Sequence, residues 1–64
     1  MTKVDHVKSV RALYEEAFKA DPHRVEEVTT AVLGREVFSW DSLSSVQLHR
    51  LGACLMTTVL EARG

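Results

Sequence analysis

The chain has 64 residues, 45% apolar and 27% charged, with a formal net charge of −1. A chain this short buries only about 60% of the surface its unfolded form exposes, so one small domain over residues 1–64 is expected, marginal unless a metal, disulfide or partner helps it. Mixed, near-neutral charge gives no global field for nucleic acid or anionic membrane, and Cys54, the single cysteine, excludes an internal disulfide framework.

Residues 3–20 read as a first helix. Thr2, with Asp5 three residues on, has the form of an N-cap, and Asp5 suits the positive end of the helix dipole. Val4, Val7, Val10, Leu13, Tyr14, Ala17 and Phe18 share one side, spread over a wider arc than the usual apolar stripe, so this helix is expected to lie across both others.

Asp21-Pro22 then closes one helix and opens the next. Proline disfavours helical backbone at the residue before it and suits the first helical position. The second helix is placed at 22–33, with Val25, Val28 and Val32 inward and Gly34 as the left-handed C-terminal cap. Arg35 to Trp40 reads as a packed loop, with Val37 and Phe38 or Trp40 covering the core.

The third helix, 45–62, has the best-marked start. Ser44 with Gln47 three residues later is a capping-box pattern, and Leu43 and Leu48 stand where a hydrophobic staple needs them. Leu48, Leu51, Gly52, Leu55 and Val59 form one face, with Cys54 and Thr58 at its edge. Val46, Ala53, Met56 and Leu60 add a second apolar side. Two neighbouring helices cover about two sides of a third. Either this helix is central, or Met56 and Leu60 form an exposed patch that awaits a partner. The fold class expected is all-α, a three-helix bundle.

Chemistry-bearing constellations are sparse. His6, His23, His49 and Cys54 lack the close pair spacings of zinc sites, and nothing local activates Cys54. No catalytic, cofactor-binding or metal site is expected, and no small-molecule substrate. Arg24, Arg35 and Arg50 could converge on phosphates, which makes a nucleic-acid-binding module the alternative to a protein-binding one. The connection from Gly34 to about Leu43 is too long for the 3–4-residue turn of a helix-turn-helix. No apolar run approaches the roughly 18 residues of a membrane span and no signal-type segment follows the start, so a cytoplasmic protein is expected.

Asp41-Ser42-Leu43-Ser44-Ser45-Val46-Gln47-Leu48 resembles the Asp-Ser-Leu segment of acyl and peptidyl carrier proteins. That resemblance implies a phosphopantetheine arm on Ser42. The chain departs from it in having Trp40 where those proteins usually have glycine, and in lacking their long loop before the motif and two helices after it. Capping chemistry accounts for the same residues.

A broader pattern runs through Leu13-Tyr14, the turn at Asp21 to Arg24, Thr29 to Val37, Ser39 to Leu43, and Gln47. It resembles small helical domains, common in actinobacterial phages and prophages, that often stand at the C-terminus of recombination or DNA-metabolism proteins. Their signature is Val-Gly-Arg-x-Val, a serine, then Asp-Leu-Thr opening the last helix. Here Leu33 replaces the valine, and Asp41-Ser42-Leu43-Ser44 is one residue longer than Asp-Leu-Thr. The resemblance implies a three-helix accessory module and no catalytic residue. Taken together, the residues lead to a non-enzymatic accessory protein that binds another protein, with a DNA-metabolism partner implied by the resemblance. The expected contact is Met56 and Leu60 with Phe38 and Trp40 at their rim, and a homodimer through the same apolar surplus is equally simple.

Overall fold

Each helix begins where a side chain can satisfy its free N–H groups. In the computed structural model, which describes residues 2–34 and 38–64, α1 spans Lys3–Ala20, α2 Pro22–Leu33 and α3 Ser45–Arg63. The Thr2 hydroxyl oxygen accepts the Asp5 N–H at 3.3 Å. Asp21 accepts the Arg24 N–H at 3.1 Å, with Pro22 in the first turn. At α3 the Ser44 hydroxyl oxygen accepts the Gln47 N–H at 3.2 Å, while the Gln47 side chain accepts the Ser44 N–H at 2.9 Å. That is the full reciprocal capping box, and Leu43 and Leu48, the two staple residues, are both buried.

The helix ends are equally local. Gly34 takes φ 75°, where a side chain would be strained, and its N–H donates to the Thr30 carbonyl. All three helices run within a residue of the limits expected from the sequence. The stretch before α3 differs. Trp40–Ser42 forms a short 3-10 turn, closed by the Ser42 hydroxyl donating to the Ser39 carbonyl at 2.8 Å. Val37 and Arg35 lie outside the described residues. No strand occurs among those described.

The helices go up, down and up. The Arg24 guanidinium, at the start of α2, lies 4.0 Å from the Glu61 carboxylate near the end of α3, so these two helices are antiparallel. Glu16 of α1 pairs with Arg63 of α3, and Val10 approaches Gly52. Advancing along α1 thus advances along α3, and the pair is parallel. α1 packs against both other helices, as its wide apolar arc requires.

One core joins Val10, Ala17, Val25, Leu43, Leu48, Leu51, Leu55 and Val59. α3 supplies four of these eight and, with Thr58, five of the ten buried residues among those described, so α3 is the helix the others pack around. Thr29 and Thr58 are buried with it. Each hydroxyl donates to the carbonyl four residues earlier, at 2.7 and 2.9 Å, so neither leaves an unmet polar group. Close packing of α1 on α3 depends on Gly52, because a Cβ there would lie 3.3 Å from a Val10 methyl.

Candidate docking face

With three helices in place, α3 still has a side that none of the described residues covers. Its buried positions are Leu48, Leu51, Leu55, Thr58 and Val59. At about 100° per residue, Val46, His49, Ala53, Met56 and Leu60 form one continuous stripe centred about two-fifths of a turn away. Val46 is 61% exposed, Met56 49% and Leu60 58%, and His49 and Ala53 are exposed beside them. Both alternatives for this helix hold together: the other two helices pack on it, and Met56 and Leu60 are exposed all the same.

The stripe borders a groove. His49, Gly52, Ala53 and Met56 of α3 face His6, Ser9, Leu13 and Glu16 of α1 across an open depression of about 600 Å³. Gly52 and Ala53, with almost no side chain, leave the space at its floor. Glu16 and Arg63 are bonded across one end. Between the two histidines and that ion pair the walls carry no full charge. A helical face with small residues in the middle and apolar side chains along one edge suits another helix better than a small polar ligand.

The expected interface residues do not all converge here. Met56 lines the groove and Leu60 continues its edge, one turn further along α3. Phe38 and Trp40 sit on the other flank of α1. Their rings are 4.9 Å apart, and both meet the Tyr14 ring edge-on, at 6.1 and 5.5 Å. Phe18 stacks beside Tyr14 at 6.1 Å. Phe38 and Trp40 are half-buried and act as the lid of the core, fastening the loop to α1.

The cations separate as well. Arg24 lies 3.9 Å from Glu27 and 4.0 Å from Glu61, so its charge is locally balanced. Arg50 is exposed on α3, in the arc opposite the core, and Arg35 lies outside the described residues. The cations that do gather are Lys3, Lys8 and Arg11, around a depression of about 300 Å³ shared with Val4, Val7 and Asp41. Their spacing along α1 was readable in the sequence, but Asp41 and the bottom of the depression come from the fold.

Among the described residues, no group of three histidine, cysteine or acidic side chains could hold a metal ion. Cys54 is half-buried and free. Ser42 sits inside the 3-10 turn, two residues before the N-cap of α3, and its hydroxyl is engaged with Ser39. The helix start that the carrier-protein resemblance assigns to Ser42 is occupied by Ser44. No helix among the described residues is long and apolar enough to cross a membrane. Comparison with protein-family models, with curated proteins and with solved structures finds no match to this chain.

Proposed function

We propose that this is a non-enzymatic accessory protein whose work is to bind another protein chain through the α1–α3 face. The observation that carries the reading is the uncovered stripe of Val46, Ala53, Met56 and Leu60 beside a groove floored by Gly52. Isolated exposed apolar residues are ordinary on a protein surface; a helix-long row next to a groove marks an interaction site. Fully burying Met56 and Leu60 would contribute on the order of 1 kcal/mol each, since each is already about half covered. Its setting in phage-type DNA metabolism is carried by the sequence resemblance over roughly residues 10–60 alone.

A photo-crosslinking residue placed at Met56, with the same residue at Glu15 as the control, tests the face. Adducts with a defined protein at position 56 and none at position 15 are expected. Equal labelling at both positions would sink the reading.

The nucleic-acid alternative has one observation in its favour, the cluster of Lys3, Lys8 and Arg11. Three phosphate contacts would weaken binding about 40-fold between 50 and 200 mM salt. Contact through the apolar face responds little to salt. The cluster also contains Asp41, and Arg24 is committed to Glu27 and Glu61, so protein binding remains the better-supported function.

A further inference from the structure

We infer that the occupant of the α1–α3 face is a second copy of this chain, related by a two-fold axis running across the helices, so that α3 meets α3 and α1 meets α1 antiparallel. This rests on the reading of that face as a docking surface and goes beyond it by naming what docks.

The first support is direction. α1 and α3 run parallel, and α2, the antiparallel member, lies behind them against the core. On the outer face two aligned helix dipoles stand side by side without a counterpart. A copy turned by the two-fold brings C-terminal ends against N-terminal ends, the orientation helix dipoles favour.

The second is register. Val46, His49, Ala53, Met56, Leu60 and Arg63 alternate spacings of three and four, which is the seam of a coiled coil. The row reads the same spacing in both directions. An axis between Ala53 and Met56 sets Ala53 against Met56 of the second copy, His49 against Leu60, and Val46 against the aliphatic stem of Arg63. Each large apolar side chain meets a small or polar one, so the two rows interdigitate instead of colliding.

The third is charge. α1 carries Asp5 near its start and Lys19 near its end, both exposed on the outer edge of the same face. Antiparallel pairing brings Asp5 into the same turn as Lys19 of the second copy, twice over by symmetry. Ser9 and Ala12 lie between them and allow close approach. Arg63 keeps its guanidinium on Glu16 of its own protomer while its aliphatic stem meets Val46 of the second copy.

The area is sufficient for a reversible dimer. Two helices of 18 and 19 residues, about 27 Å long and roughly 10 Å wide each, offer a footprint of roughly 500 Å². A standard interface buries about 800 Å² of accessible surface per partner. That would be under one fifth of the protomer's 4375 Å². Affinity follows the quality of the contacts and not the area; with few half-exposed apolar side chains to bury on each protomer, micromolar dissociation is expected.

Sedimentation of the intact chain over about 1 to 500 µM, which spans micromolar dissociation constants, tests the proposal. The weight-average mass should climb from one chain toward two, and the Met56→Glu/Leu60→Glu variant should stay monomeric with unchanged helical circular dichroism. A second measurement reads the register without depending on that variant's folding. In a Cys54→Ser background, a mixture of His49→Cys and Leu60→Cys chains should oxidise to a covalent heterodimer. Neither alone should crosslink, because two copies of position 49 lie about 16 Å apart along the antiparallel pair. A chain that stays monomeric at the top concentration overturns the proposal, and so does a dimer indifferent to Met56→Glu/Leu60→Glu or crosslinked equally well by His49→Cys alone. If the chain is monomeric while position 56 photo-crosslinks a different protein, self-association fails and the docking face stands. If position 56 labels no better than position 15, the docking face itself has failed.

Discussion

Gly52 and Val10 mark a close approach between α1 and α3, and their coupling can be measured as a double-mutant cycle. Ala for Gly at a helix interior position favours folding by about 1 kcal/mol. Here the new Cβ would lie 3.3 Å from a Val10 methyl, so the helices must part by a few tenths of an ångström. Overpacking a close-packed contact costs typically 1–3 kcal/mol, and at the mild end of that range the two effects nearly cancel. Gly52→Ala alone should therefore change stability by less than about 1 kcal/mol. Val10→Ala alone removes two buried carbons and leaves a small cavity, costing about 2 kcal/mol. In the double variant the added methyl group occupies the space the valine vacated. The helix preference of alanine is then realised without strain, and the double variant should be more stable than Val10→Ala by about 1 kcal/mol or more. Urea denaturation followed by far-ultraviolet circular dichroism, at a protein concentration low enough to keep the chain monomeric, gives all four corners. Strict additivity, with coupling under about 0.3 kcal/mol, would refute the close approach of α1 and α3 at this point.

Other expectations concern single sites. Ser44→Ala removes half of the capping box and should cost about 1 kcal/mol in the same denaturation, while Ser42→Ala, whose exposed hydroxyl closes only the short turn, should cost under about 0.5 kcal/mol. Leu51→Ala or Leu55→Ala opens the centre of a core whose total stability is only about 3–5 kcal/mol, so either should leave the chain largely unfolded at 25 °C by circular dichroism. Tyr14→Ala should collapse the near-ultraviolet signal of Trp40 and shift its fluorescence to the red while most helicity remains, because Tyr14 touches Phe18, Phe38 and Trp40 together. Unchanged Trp40 spectra in that variant would show that the loop is fastened elsewhere.

The expected burial pattern of α3 followed from spacing alone: the row from Leu48 to Val59 is the core side. Thr29 was not expected inside. A threonine reads as polar by composition, and only its bond to the Val25 carbonyl makes burial tolerable. Grouping Phe38 and Trp40 with Met56 and Leu60 rested on the preference of interface cores for aromatic and methionine side chains. Such a grouping has no geometric content until the loop's path is known, and that path leads to Tyr14 on the opposite flank of α1.

The same division runs through the whole chain. Helix limits are written locally, because Thr2, Asp21, Ser44 and Gly34 act on backbone groups only three or four residues away. The second apolar side of α3 is equally present in the order of residues, since helical periodicity requires nothing beyond the helix itself. Whether that side is core or surface is a question about neighbours. Two helices and a loop have a limited number of faces, and α1 and α2 spend theirs on the side of Leu51 and Leu55. Met56 and Leu60 remain outside for that reason, beside a groove at whose floor Gly52 lets α1 come close.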